Sequence, residues 1–371
     1  MKVLVVSTNA LPSPPPYYGG AELVAFTDAL RLAQDGHEVY LLATKLSRAS
    51  ALANYPYLKE YIDAINFIEF GDPMPWGTPI SEEEMFNRML AKKRTPDFDV
   101  IIDHSRSRVA SMRLAQPALS IVHDLNPPVP LMPVSKQLCY AGVSRFHMNY
   151  LRALFPHLEN VITYIYNRIV EEPYLRIKVR SRSDRERAIA FVARIDVGKG
   201  IIQFIQACKR MPDVKCYIVG DDMPLINTSI GVRDSIYAIY QLARKYPNIE
   251  WVGLVPHDVK IRIMSRVMAT VVLPVPPYAE VFGIWALESF LVGTPVITTP
   301  NGAMPEYVVN GFNGYIITMS DIQDAVYAIA SAGVPVNRTP EEIRQDVLSR
   351  FNSRDLVRSA LNLALKGCGS A

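Results

Sequence analysis

The stretch "MATVVLPVPPYAEVFGIWALESFLVGTPVITT" (268–299) reads as strand, proline-rich turn, helix and strand. MATVVLP (268–274) and TPVITT (294–299) are short β-branched runs, VPPY (275–278) breaks the first, and a helix begins near Gly283. Strand, helix and strand in that order argue for a parallel sheet. Between Arg266 and Glu306 the charged residues are Glu280 and Glu288 alone. Two carboxylates in so apolar a segment are costly unless something pairs with them. They are about 12 Å apart along a fully helical interval, too far to share one proton or one metal. They suit different hydroxyls of one extended ligand.

The same alternation fills the chain in both directions. "KVLVVS" (2–7), "EVYLLAT" (38–44), "DVIID" (99–103), "ALSIVHD" (118–124), "CYAGVS" (139–144) and "NVITYIY" (160–166) form a first series of strands. The helix at 21–36 keeps Leu23, Phe26, Leu30 and Ala33 at helical spacing and stops at Gly36. Residues 45–98 read as helices and loops decorating that sheet, and the charged, aperiodic 168–187 as a linker. A second series follows: "AIAFVAR" (188–194), "KCYIVGD" (215–221), "IEWVGL" (249–254), the opening stretch and "GYIIT" (314–318). Helices close the chain, one of them started by the capping box "TPEE" (339–342). The predicted organisation is a first domain at 1–167, a connection at 168–187, a second domain at 188–350, and a helix at 351–371 that can pack back on the first domain. The fold class is α/β, two doubly wound parallel sheets facing a central cleft at their C-terminal strand ends, where such sheets bind ligands.

A chain of 371 residues, 49% hydrophobic and 20% charged, describes a globular protein with room for two cores. Its net charge of +3 tolerates phosphates or an anionic membrane without calling for nucleic acid. The cationic run Arg176, Lys178, Arg180, Arg182, Arg185 and Arg187 is broken by Asp184 and Glu186 and poor in aromatics, so it reads as a solvated connection. The four cysteines contain no CxxC pair, so neither a zinc site nor a disulfide framework is expected, and a reducing cytoplasm is the expected location. "MKVLVVSTNA" reads as a buried first strand, not a signal peptide, and no apolar stretch has spanning length. "SRFHMNYLRALF" (144–155) reads as a core-packed helix, with peripheral docking on an anionic membrane as the second reading. "YYGGAE" (17–22) stands where a dinucleotide fold would carry GxGxxG.

"FVARIDVGKG" (191–200) ends a strand at Arg194 and opens a helix after Gly198. Arg194 and Lys199 are two cations able to converge on a phosphate. The unsatisfied N–H groups at the start of the helix near Gly283 are a ready anion site. A diphosphate there, with hydroxyl-bearing groups on Glu280 and Glu288, describes a nucleotide-sugar.

These residues carry a resemblance. "FVARID" with "KG", followed by "AEVFGIWALESFLVGTPVITTPNGAMPE" (279–306), resembles the E-x7-E retaining glycosyltransferases of the GT-B fold, of the glycosyltransferase family 4 type. "YYGGAELV" (17–24), "SIVHD" (120–124), "GVS" (142–144) and "IYN" (165–167) match in order, so the likeness covers nearly the whole chain. It implies two Rossmann-like domains. It also implies Arg194 and Lys199 on the leaving diphosphate, Glu288 on the ribose, Glu280 on the transferred sugar, and the backbone of Phe282, Gly283 and Ile284 on sugar and phosphate. Gly20 would approach the diphosphate, and His123 would sit at the reaction centre. No cofactor and no metal are implied. The donor would be a nucleoside-diphosphate sugar, and the acceptor a hydroxyl on a small molecule, a growing glycan or a lipid-linked group. Arg168 and "GDDMP" (220–224) depart from the family's usual glycines, and Asp221–Asp222 reads as a turn before it reads as a metal site. A sugar-nucleotide epimerase, a phosphorylase and a catalytically silent nucleotide-sugar binding protein are the other readings.

Overall fold

The structure, a computed structural model, describes residues 1–17, 19–72, 82–84, 86–88, 97–133, 137–220, 230–318, 320 and 322–368. It divides into two units, Met1–Val170 with Phe351–Ala371, and Glu171–Arg350.

Among the described residues, the first unit is built on seven parallel strands. These are β1 (Lys2–Val6), β2 (Glu38–Ala43), β3 (Ile65–Glu69), β4 (Val100–Asp103), β5 (Ala118–Val122), β6 (Leu138–Gly142) and β7 (Ile162–Tyr164), in the order β3-β2-β1-β4-β5-β6-β7. All positions of β4, β5 and β6 are buried, as a parallel sheet covered on both faces requires. The order reverses between β1 and β4, where Val6 lies opposite Asp103. Chain leaving the ends of these two strands therefore lies at the point where doubly wound sheets open for a ligand.

The second unit has, among the described residues, six strands, β8 (Glu186–Val192), β9 (Lys215–Val219), β10 (Ile249–Gly253), β11 (Val267–Val271), β12 (Val296–Thr298) and β13 (Gly314–Ile316), ordered β10-β9-β8-β11-β12-β13. Its reversal falls between β8 and β11. The loop after β8 carries Arg194 and Lys199, and the loop after β11 carries Glu280.

Four expectations need correction or completion. Residues 45–98 contain a strand, β3, paired along its length with β2. Asn66 and Glu69 at this sheet edge break the apolar run that marks inner strands. The stretch 168–187 is not a free linker: Arg168 is fully buried in the first unit and Tyr174 is 1% exposed in the second. Arg185, predicted to be solvated, donates to the carbonyls of Ser265, Val267, Val292 and Gly293. The cysteines pair after all, Cys139 with Cys368 and Cys208 with Cys216, with Cα atoms 5.4 and 6.3 Å apart. A separation of 229 residues hides the first pair from any reading of local spacing.

The last helix, Ser353–Lys366, packs on the first unit, with Arg31 Nε donating to Ser353 Oγ at 2.6 Å and Arg358 ion-paired to Asp35 at 2.8 Å. Its neighbours include helix Gly20–Gln34 and strands β4 and β5.

Gly200, between Lys199 and the helix Ile201–Lys209, has φ +78°, and a Cβ there would lie 2.1 Å from the Leu273 carbonyl oxygen. Left-handed backbone alone costs a side chain about 1–2 kcal/mol, and the clash adds to it. Gly200→Ala should lower the urea midpoint of unfolding; an unchanged midpoint would show that this loop yields freely.

Candidate functional site

In the second unit, the loop after β8 is stitched to the chain leaving β11. Leu273 N donates to the Lys199 carbonyl at 3.0 Å, and Val275 N to that of Gly198 at 2.9 Å. The loop with Glu280 is fixed from its other side, since Glu280 N donates to Asn301 O at 3.2 Å and Ala303 N to Glu280 O at 2.8 Å. These backbone bonds bring Lys199 Nζ onto Glu280 Oε2, with both side chains nearly buried. Lys199 also sits 4.7 Å from the centre of the Tyr278 ring. Burial works against the lysine's charge, but Glu280 and Tyr278 outweigh it and raise its pKa, so it stays protonated. Arg194 Nη2 meets Asp196 Oδ2 at 2.6 Å, while Asp196 Oδ1 accepts from Gly198 N.

Downstream, Phe282 is buried against Tyr307 with ring centroids 5.3 Å apart. Gly283 caps the helix Ile284–Leu291 in left-handed geometry, φ 81°, and Ile284 is the first helical residue. A Cβ on Gly283 would meet Met304 Cε at 2.5 Å. Beside this helix start, the buried indole Nε1 of Trp285 has no hydrogen-bond partner among the described residues. Glu288, in the second turn, accepts from Lys260 Nζ at 2.7 Å and Tyr174 OH at 2.6 Å. Burial raises its pKa, but Lys260 first, then His257 and the hydrogen bonds, bring it below the ordinary carboxylate value. Burial, with the Lys260 charge behind it, pushes His257 down to about 4, so that ring is neutral.

In the first unit, Gly20 opens the helix Gly20–Gln34 and is exposed, with Gly19 before it at φ 152°. His123 follows β5 and His104 follows β4; the two rings are joined at 3.0 Å, and His104 reaches Asp28 at 3.1 Å. Asp28 in turn is ion-paired to Arg168, with both side chains fully buried. Glu22 is buried and accepts from Thr8 Oγ1, and burial raises its pKa.

The structure thus brings Lys199, Glu280, Phe282, Gly283, Ile284 and Glu288 into one unit with Arg194, and His123 and Gly20 into the other. Arg194 and Lys199 are not bare cations awaiting a phosphate, since each already has a carboxylate partner. Sequence reading missed Lys260, Tyr174, Trp285 and Asp28 as parts of these constellations. Lys260 is 28 residues from Glu288 and Tyr174 is 114, so no local pattern marks them. Asp221 and Asp222 lie outside the described residues.

With that geometry in place, known proteins offer a comparison. Residues 176–332 match the family model for glycosyl transferases, group 1. A D-inositol 3-phosphate glycosyltransferase of Mycobacterium sp. (strain KMS) is 28% identical over 161 residues, 43% of this chain and 35% of that protein. The chain therefore spans about a third, 35%, of the length of that curated relative. Among solved structures, Anabaena HepE in complex with UDP-glucose superposes with TM-score 0.70 at 17% identity over 98% of both chains. The sucrose-phosphate synthase of Thermosynechococcus elongatus gives TM-score 0.74 at 16% identity, again over 98% of both. With two parallel-sheet units of seven and six strands, the fold is GT-B.

Lys260→Met leaves Glu288 buried without its cation, which should cost about 3–5 kcal/mol near pH 7. In the native chain the Glu288 carboxyl is held below 4.5, so it stabilises the fold above that value and loses the contribution as pH falls through the folded pKa. In the variant burial dominates and the pKa rises, so the deficit should shrink on acidification. Urea unfolding at pH 7 and pH 5 reads this; equal deficits would mean that Glu288 is not its source.

Proposed function

We propose that this protein is a retaining, metal-independent glycosyltransferase that moves a hexose from a nucleoside-diphosphate sugar to a hydroxyl acceptor. The observation that carries the reading is the buried Lys199–Glu280 pair beside the start of helix Ile284–Leu291, inside the segment that matches group 1 glycosyl transferases.

The chemistry separates charge. As the bond from the sugar's anomeric carbon to the phosphate oxygen breaks, negative charge grows on the diphosphate and positive charge on the ring. Lys199, kept protonated, and Arg194 stabilise the phosphate side, aided by the backbone N–H groups at Gly283 and Ile284. These dipoles are already in place, so little reorganisation accompanies the transition state. Glu280 takes the sugar's hydroxyls while holding Lys199, and Glu288 takes the ribose hydroxyls while holding Lys260. The Trp285 N–H, without a partner among the described residues, supplies a further donor beside the helix start at Gly283. His123 stands at the sugar. The acceptor oxygen bonds to the anomeric carbon on the face the phosphate leaves, and its proton passes to the departing phosphate oxygen. No separate strong base is then required, and configuration is retained.

Support for the donor class comes from HepE, whose crystals hold UDP-glucose on the same fold. A small-molecule, glycan or lipid-linked hydroxyl is the acceptor. No helix among the described residues is long and apolar enough to cross a membrane. Contact with a membrane through Arg145–Leu154 is part of this proposal, since Leu154 is 45% exposed there.

Incubation with UDP-, GDP- and ADP-sugars in EDTA, following nucleotide release, tests the reading; a strict divalent-metal requirement, or no binding of any nucleotide-sugar, would sink it. A bound donor at one hundred times its Kd should stabilise the fold by about 2.7 kcal/mol, visible as a raised thermal midpoint. Lys199→Ala should lower kcat by roughly 10²–10³-fold while weakening nucleotide binding far less; equal losses would remove the lysine's transition-state role. Glu288→Gln should weaken nucleotide binding in calorimetry with the fold intact, and unchanged affinity refutes the ribose contact.

A further inference from the structure

The His123 ring ends a chain of buried polar groups that runs inward through the first unit. Arg168 Nε donates to Asp28 Oδ1 at 2.7 Å and Arg168 Nη2 donates to Asp28 Oδ2. His104 Nε2 lies 3.1 Å from Asp28 Oδ2, and His104 Nδ1 lies 3.0 Å from His123 Nε2. The side chains of Asp28, His104 and Arg168 are entirely shielded from solvent. The two imidazole planes differ by 22°, so the N–H of one ring and the lone pair of the other share nearly one plane.

One placement of the hydrogens satisfies these contacts. An ionised carboxylate only accepts, and Arg168 keeps Asp28 ionised, so His104 Nε2 carries hydrogen. A neutral imidazole has one N–H, which leaves a lone pair on His104 Nδ1. His123 Nε2 must therefore be the donor in the contact between the rings, and the lone pair of His123 falls on Nδ1. The opposite arrangement, with His104 as an imidazolium, would set two buried cations against one carboxylate. His123 is itself neutral: burial, with the Arg168 and Arg106 charges behind it, lowers its pKa well below the ordinary histidine range. His147 follows the same logic, accepting from Val143 N and donating to the Asp124 carbonyl.

We infer that Asp28 and His104 are positioning residues that fix the tautomer of His123, so that His123 Nδ1 accepts a hydrogen bond from a substrate hydroxyl. The inference rests on the proposed transfer reaction for the identity of that hydroxyl, and it deepens the role of His123 within it. His123 then orients the hydroxyl and gives no proton to the departing diphosphate. Arg168, anomalous in sequence, is the counter-ion that anchors the whole relay.

The test is the nitrogen spectrum of the ligand-free, full-length protein labelled with ¹⁵N-histidine, with His123 assigned by its loss in His123→Asn. At pH 7 the native protein should show His123 protonated at Nε2 and bare at Nδ1. His104→Phe keeps the Asp28–Arg168 pair but removes the acceptor, and should spread His123 over both tautomers. In turnover, His104→Phe should lower kcat by about 10²-fold, the scale of one preorganised polar contact, with donor KM nearly unchanged. His104→Gln, whose amide oxygen can accept from His123, should recover much of the loss. A proton on Nδ1 in the native protein, an unchanged tautomer in His104→Phe, or equal losses in the Phe and Gln variants overturns the inference. The tautomer is read without turnover. A native spectrum as expected in a protein that handles no nucleotide-sugar would defeat the transferase reading and leave the relay standing.

Discussion

A carboxylate withdrawn from water must meet a cation, and in the second unit that constraint is answered by Lys199 and Glu280, which are 81 residues apart in sequence. Everything around the pair serves to bring those two positions together. The loop after β8 is bonded through its backbone to the chain beyond β11, and the Glu280 loop is clamped again by residues 301–303. Glycines at 198, 200 and 302 let backbone and ring approach where a Cβ would collide. The alternating parallel sheet is thus the means by which one lysine reaches one glutamate.

The same solution recurs twice more, with different parts. Glu288 has Lys260 and the Tyr174 hydroxyl, and Asp28 has Arg168 and the His104 ring. In each case one cation balances the charge and one neutral donor satisfies a remaining lone pair, so burial leaves no net charge stranded. Removing one member of such a set leaves an uncompensated buried charge, which is costly. It also means that a ligand bringing its own charges meets a polar framework already organised.

Much of this architecture was legible in the linear chain, because periodicity is a local property. Twelve of the strands follow from short β-branched runs, and the helix start at Gly283 from the break before it. β3 escaped because edge position lets Asn66 and Glu69 interrupt its pattern. At the sites, the residues announced by local context emerged: two carboxylates in an apolar segment and two cations at a strand end. Their partners did not. Tyr174 and Arg168 lay in a stretch whose charge suggested solvent, and burial of Arg168 depends on Asp28, 140 residues away. Pairing across such distances leaves no trace in spacing, and the same holds for Cys139 and Cys368.

The first unit is discontinuous, since Phe351–Ala371 belongs with Met1–Val170 while the second unit runs unbroken from Glu171 to Arg350. Synthesis proceeds from the N-terminus, and domains generally fold as units while the chain emerges. The second unit has all its strands as soon as its own segment leaves the ribosome. The first must wait, with the surface beneath the Ser353–Lys366 helix uncovered, until the whole of the other unit has been made. Birth order and completion order are therefore reversed in this chain, and the half made first is finished last.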